Sequence, residues 1–270
     1  MIGFDRNGEI NMNSLERHDM IIQAIAERGT VSVRRAAELT GASEITIRRD
    51  FASLADAGVV ERYRGGVGVR VGEHMAPFAF RQVRYSEEKA ALAQRAAGLL
   101  KPDDIVFIDG GTTTFHIATC LPNVPLRIFT NSLRLADALS RRPHLKSVQD
   151  VYLTGGLIYP PGGLLVGSGV VQSIQQYHAN WAFISVGGVT EQGLYNTDDQ
   201  VVEAERAMIR NADRVVVLAD HSKIGRYATC FICSTDKIDT LITDADPDKS
   251  TILPQIEKQG VKIIHVKNPR

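Results

Sequence analysis

Cysteine is scarce in this 270-residue chain, and the three present, Cys120, Cys230 and Cys233, are an odd number. That argues against a disulfide scaffold and suits a reducing compartment, so a cytoplasmic location is expected. Long apolar runs are missing as well. Ile105 to Ile108, Val215 to Ala219 and Ile263 to Ile264 fall far short of the ~20 residues a membrane-spanning helix needs. No basic segment followed by an apolar one opens the chain, whose first residues include Asp5 and Glu9, so neither a leader nor a membrane partner is expected. Neither sign of charge dominates: 31 Lys+Arg balance 31 Asp+Glu. A wholly basic nucleic-acid coat is thereby excluded, though a local basic patch is not. What the chain does have is 44% hydrophobic residues, enough for real cores, and a length that suggests about two domains.

Residues 1–13 are polar and irregular and read as a flexible extension. Residues 14–70 read as three short helices and a hairpin. Ser14 is placed to cap a helix ending at Gly29, with Leu15, Ile22 and Ile25 on one face. Val33 to Thr40 follows, stopped by Gly41, and Ser43 caps a third helix, Glu44 to Ala57, stopped by Gly58. Val59 to Tyr63 and Val67 to Val71 read as strands joined by Arg64-Gly65-Gly66. Residues 71–85 show no period and read as a linker. From Ser86 to the end, helices alternate with β-branched strands, which indicates a mostly parallel sheet covered on both faces.

Helix, Gly-containing turn and second capped helix is the helix-turn-helix order. In the third helix, Ile47, Phe51 and Leu54 form a core stripe and leave Ile45, Thr46, Arg48 and Arg49 toward the other side. One arginine can fork onto a guanine edge and the other onto a phosphate. Ile45 suits a thymine methyl, and Ser43 sits at the helix N-terminus. Arg62, Arg64 and Gly65 would form a wing with phosphate contacts. Residues 34–70 carry seven arginines against five acids, a net of +2, so tight binding calls for two copies on two half-sites. By periodicity alone, a plain three-helix module with a solvated arginine pair fits equally well. The stretch Val31 to Leu54, with Thr46-Ile47-Arg48-Arg49-Asp50 at its heart and Arg62-Tyr63-Arg64-Gly65-Gly66 after it, resembles the DeoR family of bacterial transcriptional regulators. Phe51 stands where that family usually has Leu, and Arg64 where it usually has His. The resemblance implies a winged helix-turn-helix domain over residues 14–70, with its motif at 31–50, binding a double-stranded DNA operator.

In residues 86–270, five loops at the carboxyl ends of expected strands carry small or polar residues. That end is where ligands bind in open parallel sheets. Asp109-Gly110-Gly111-Thr112-Thr113-Thr114 reads as a phosphate cradle of backbone N–H groups and hydroxyls, without the Lys of a Walker loop. Thr130-Asn131-Ser132, Gly155-Gly156, Gly187-Gly188 and Asp220-His221-Ser222-Lys223 are the others. Each also has an ordinary reading as a turn, a cap or a surface ion pair; their shared address favours one site. Their order is again similar to the DeoR family over residues 14–266. The resemblance implies a sensor domain related in fold to sugar-phosphate isomerases, binding a phosphorylated sugar or polyol that alters DNA affinity. By it, Asp109, Gly110 to Thr114, Asn131, Asp220 and Lys223 would line the pocket, with Ser132, Gly155 and Gly187 in the neighbouring loops and Glu203 as a further candidate.

The expectation is therefore a repressor of a sugar or polyol catabolic operon, a homodimer or homotetramer, with no catalytic residue, cofactor or metal. The alternative is a phosphosugar isomerase-like enzyme with an accessory helix-turn-helix domain, using Glu203 or Asp220 as base. Cys230 and Cys233 lack a second ligand pair, and in a strand they would point to opposite faces, so they read as structural. His221 has no nucleophile beside it and reads as a surface residue.

Overall fold

In the computed structural model the chain divides into two compact units, residues 1–84 and 85–270. Residues 12–68, 78–142, 149–160 and 162–267 are described. Most of the expected extension thus lies outside the described residues, as do 69–77 of the expected return strand and linker.

The first unit opens with α1 (Ser14–Arg28). Its cap is Asn13, one residue before the expected Ser14: the Asn13 side chain accepts from the Glu16 N–H and the Glu16 carboxylate accepts from the Asn13 N–H, both at 3.0 Å. β1 (Thr30–Ser32) leads into α2 (Val33–Thr40), capped by Ser32, and then α3 (Glu44–Asp56), capped by Ser43. Ile21, Ile22 and Ile25 of α1 meet Ile47, Phe51 and Leu54 of α3 in one buried cluster. Leu15, expected on that face, is exposed, so the buried stripe of α1 starts later than the sequence pattern suggests. β2 (Glu61–Tyr63) and β3 (Gly66–Gly68) complete the wing, and β3 lies between β1 and β2. Val67 pairs with both Val31 and Arg62. A side chain at Gly66 would press within 2.4 Å of the Val31 carbonyl, which is why the turn ends in glycine. Residues 78–83, expected in the linker, form α4 (Phe78–Val83); its Phe80 is buried in the same cluster as α1 and α3.

The second unit runs α5 (Ser86–Ala97), β4 (Asp104–Ile108), α6 (Thr112–Phe115), α7 (Ile117–Cys120), β5 (Leu126–Thr130), α8 (Leu133–Ser140) and β6 (Gln149–Leu153). The hairpin β7 (Leu157–Tyr159) and β8 (Leu164–Val166), α9 (Ser168–Gln175), β9 (Ala179–Ser185), β10 (Gly188–Val189) and β11 (Gly193–Asn196) follow. α10 (Asp199–Arg210), β12 (Ala212–Leu218), β13 (Cys230–Ser234), β14 (Thr240–Thr243), α11 (Leu253–Lys258) and β15 (Lys262–His265) close it. Seven strands form a parallel sheet in the order β15-β14-β12-β9-β4-β5-β6. Alternation sends Phe107, Ile184 and Val217 into one core and Val106, Phe183 and Val216 into the other. Winding reverses between β4 and β9, the topology in which a ligand crevice lies outside the carboxyl ends of the strands. After β4 the chain forms two single helical turns, α6 and α7, separated at His116. After β6 the chain forms the antiparallel hairpin β7–β8, whose second strand, Leu164, Leu165 and Val166, is buried throughout. A small antiparallel sheet, β10-β11-β13, lies outside the expected pattern.

Candidate functional site

The first unit presents α3 and the wing. Ser43 accepts from the Thr46 N–H at 3.2 Å, and its hydroxyl lies 2.9 Å from that of Thr46. Ile45 is 67% exposed, an unusual place for an isoleucine unless something apolar meets it. Arg48 is exposed and reaches Glu44 at 3.4 Å. Arg49 is exposed, with no ion-pair partner among the described residues. Arg62, Arg64 and Gly65 are exposed on the wing, where Gly65 takes a φ of 90°. The next residue of α3, Asp50, turns inward. It is buried and receives Arg17 of α1 through two nitrogens, at 2.8 and 3.1 Å, with His18 Nε2 at 3.2 Å. The helix is thus exposed on its arginine side and clamped to α1 on the other.

In the second unit, Asp109 stands at the switch point. Its buried carboxylate accepts from the backbone N–H groups of Gly111 and Ser185 and from the hydroxyls of Thr114 and Ser185, the last two at 3.1 Å. β4 and β9 are stitched together by these bonds. Burial pushes the Asp109 carboxyl up from its ordinary pKa, and the four donors pull against that shift. Glu205 of α10 is also buried and accepts from the Asn196 side chain. Burial first, and then the charge of Asp109, raise it well above the usual carboxylate range. Asp109 has the donors that favour an anion, so Glu205 is the member of the pair that holds the proton. Four buried polar atoms around this crevice have no hydrogen-bond partner among the described residues: Asn131 Oδ1 after β5, Thr154 Oγ1 after β6, Glu205 Oε2 on α10 and Asp220 Oδ2 after β12. Asn131 is fixed through its Nδ2, which donates to the Leu165 carbonyl at 3.0 Å. Asp220 is fixed through Oδ1, which accepts from the N–H and hydroxyl of Ser222. In each case one end is anchored while the other is unpartnered. β8 rests on these loops: the Leu165 N–H donates to the Asn131 carbonyl at 2.7 Å, and a side chain at Gly110 would strike Leu164 at 1.8 Å.

The family model for the DeoR C terminal sensor domain matches residues 84–245, and that for the DeoR-like helix-turn-helix domain matches residues 17–70. The chain belongs to the DeoR family. The HTH-type transcriptional regulators UlaR of Shigella flexneri serotype 5b (strain 8401) and of Escherichia coli (strain K12 / DH10B) are each 33% identical to it over 260 residues, 94% of this chain and 100% of theirs. It is a DNA-binding transcriptional regulator. Among solved structures, ribose 5-phosphate isomerase A from Methanocaldococcus jannaschii aligns at a TM-score of 0.37 and 17% identity, covering 52% of this chain and 55% of its own. eIF2B beta from Chaetomium thermophilum aligns at 0.41 and 11% identity, covering 84% and 66%.

Within this DeoR-family sensor domain, the expected residues separate into groups. Asp109, Asn131 and Asp220 are buried around the crevice, and Lys223 is half-buried at the end of the turn that Asp220 caps. Thr112 and Thr113 are buried beside them. Gly111 and Thr114 differ from expectation: the Gly111 N–H and the Thr114 hydroxyl are spent on Asp109 rather than offered to a ligand. A side chain at Gly111 would collide with the Ser185 hydroxyl at 1.6 Å, so its glycine serves packing. Ser132 caps α8 through the Leu135 N–H at 3.1 Å. Gly155 is exposed, and Gly187 donates to the Tyr195 carbonyl at 2.8 Å. Glu203 is corrected: it is exposed and paired with Arg206 at 2.9 Å, while Glu205, two residues on, faces inward. A helical count along α10 gives that signal, since Val202, Glu205 and Met208 share the buried face. Ser185, Thr154 and Asn196 belong to no sequence motif, and only the fold brings them to the site. Among the described residues no group of three or more His, Cys, Asp or Glu could hold a metal ion, and no helix is long and apolar enough to cross a membrane. His221 is exposed and bonded to Asp244 at 2.7 Å. Burial raises the Cys233 thiol to about 12 and that of Cys120 to about 11, far from reactive thiolates.

Proposed function

We propose that this regulator represses a sugar or polyol catabolic operon and that a phosphorylated sugar or polyol, bound at the carboxyl edge of the sheet, modulates its DNA affinity. One observation carries this reading: the unpartnered buried oxygens of Asn131, Thr154, Glu205 and Asp220. A polar group left buried without a partner costs about 1–3 kcal/mol, a cost removed when a ligand hydroxyl, which both donates and accepts, bonds to it. Asp220 and Asn131 follow strands three positions apart in the sheet, about 14 Å at the usual ~4.8 Å spacing, which is the reach of a small extended molecule with a hydrogen bond at each end. Carboxylates on the floor repel phosphate, so the hydroxylated part of the effector faces them and the phosphate lies toward Lys223. Differential affinity of the effector for two arrangements of the protein then shifts operator binding.

The alternative of an isomerase-like enzyme draws on Glu205, a buried proton-holding carboxyl beside Asp109. Operator binding is measured by anisotropy of labelled upstream DNA while phosphorylated sugars and polyols are added. The regulator reading predicts that one of them moves the binding midpoint at least tenfold and is recovered unchanged. Conversion to an isomer, with operator affinity constant, supports the enzyme.

A further inference from the structure

The four unpartnered atoms of the crevice are not alike. The free oxygen of Asn131 is an amide carbonyl, because its Nδ2 is committed to the Leu165 carbonyl. The free oxygen of Asp220 belongs to a carboxylate whose other oxygen accepts from Ser222. Both atoms can only accept, whereas the Thr154 hydroxyl can do either. Glu205 is the opposite case. It lies on the buried face of α10 and is 3% exposed. The Thr197 N–H donates to Asn196 Oδ1 at 2.9 Å, which turns the Asn196 Nδ2 toward Glu205 Oε1. Oε1 therefore accepts, and a proton on this carboxyl sits on Oε2.

The surroundings require that proton, since a buried charge is costly unless it is paired. Arg206, the next residue, is committed elsewhere: its nitrogens donate to Glu203 at 2.9 Å and to the carbonyls of Ile232, at 3.1 Å, and Phe231. Asp109 adds negative charge, and the Cys233 thiol is held neutral by burial. Glu205 Oε2 is thus a buried O–H with no acceptor among the described residues. A ligand atom that meets it has to accept. A hydroxyl oxygen accepts, but it brings a hydrogen that needs an acceptor in turn, and the acceptors at hand are taken. The Asp109 carboxylate already receives four donors, and Asn196 Oδ1 receives the Thr197 N–H. Burying that hydrogen unpaired offsets the bond gained. An oxygen that carries no hydrogen avoids the cost. In a phosphorylated sugar this is the carbonyl oxygen, or the ring oxygen into which it closes; a phosphorylated polyol has none outside its phosphate group.

We propose that the effector stands at the oxidation level of a sugar rather than of a polyol, and that Glu205 selects it by donating from Oε2 to the carbonyl or ring oxygen. The hydroxyls of the same molecule then donate to Asn131 Oδ1 and Asp220 Oδ2. This inference rests on the effector reading above and decides between the two ligand classes that reading leaves open.

The test uses the full chain and matched phosphate esters that differ only by reduction of the carbonyl: ribulose 5-phosphate with ribitol 5-phosphate, fructose 6-phosphate with glucitol 6-phosphate, and dihydroxyacetone phosphate with glycerol 3-phosphate. Isothermal titration gives the Kd of each for the parent, Glu205→Gln and Glu205→Met. In any pair that binds, the sugar should bind the parent at least tenfold more tightly than its polyol. Glu205→Gln should keep that preference, because its amide N–H donates from the same place while its carbonyl still accepts from Asn196. Glu205→Met has a similar volume and no donor, and should bring the preference at least threefold below that of the parent. A parent preference short of tenfold overturns the inference and leaves the effector reading standing. A Glu205→Gln that loses the preference, or a Glu205→Met that stays within threefold of the parent, overturns it as well. If no ester of any pair binds, the effector reading falls and this inference falls with it. Should Glu205→Met fail to fold, the parent and Glu205→Gln decide by the same criteria.

Discussion

The clamp behind the recognition helix gives a sharp prediction. Asp50→Asn keeps the shape of the side chain and removes its charge. In the native protein Asp50 receives two Arg17 nitrogens, and the side chains are only 8% and 15% exposed. Breaking a buried ion pair by removing one partner costs about 3–5 kcal/mol. Asparagine still accepts one of the two bonds and Arg17 keeps some contact with water, so about 2–3 kcal/mol is the working figure, since a hydrogen bond to a charged group is worth about 1.5–3 kcal/mol. Native-state hydrogen exchange reads the first unit separately from the second. At about 1.4 kcal/mol per tenfold, α3 amides should exchange roughly 30- to 150-fold faster in the variant. A cycle with Arg17→Met should return a coupling of at least about 1.5 kcal/mol. Acceleration below about threefold, or additive single effects, would refute the clamp. Arg49→Ala supplies the contrast: it should leave α3 exchange unchanged while operator affinity falls.

Two further predictions concern the sensor domain, where Trp181, the single tryptophan, reports unfolding by fluorescence. Glu205 has a folded pKa above its unfolded value of ~4.3, so its stabilisation is complete below that pH and is lost as pH rises through the folded value. The urea midpoint of the parent should therefore decline over that window, and Glu205→Gln should remove this part of the decline; identical pH profiles would contradict the buried proton. Gly110→Ala places a methyl 1.8 Å from Leu164, an overpacking worth about 1–3 kcal/mol, and Gly155→Ala meets nothing within 4 Å. The first should lower the melting temperature by roughly 2–12 °C and the second by less than about 1 °C, since a domain of this size shifts ~2–4 °C per kcal/mol. Equal effects from the two would mean that β8 does not rest on Gly110.

Much of the fold was legible because it follows local rules. Ser43, Gly41 and the Ile47-Phe51-Leu54 stripe mark α2 and α3 within a residue, and the continuous β-branched runs mark the central strands. What stayed hidden depends on tertiary contact. α4 exists because Phe80 finds the α1–α3 core, and β8 because three consecutive apolar residues cover the switch point. The site was partly legible for the same reason. Loops at strand ends name Asp109, Asn131 and Asp220, but whether the Gly111 N–H faces a ligand or Asp109 is a matter of side-chain rotation that no motif encodes. Glu203 and Glu205 differ only in which way a helical turn faces, a distinction carried by the Val202-Glu205-Met208 period of α10 and by no motif.

The central claim is that DNA reading and effector sensing reside in separate units and are coupled. Operator anisotropy and effector-induced thermal shift, measured together on Arg49→Ala and Lys223→Ala, test it most directly. The account predicts that Arg49→Ala loses operator binding by at least a hundredfold and keeps the full thermal shift, while Lys223→Ala binds operator normally and no longer responds to the phosphorylated effector. Loss of both activities in both variants would contradict it.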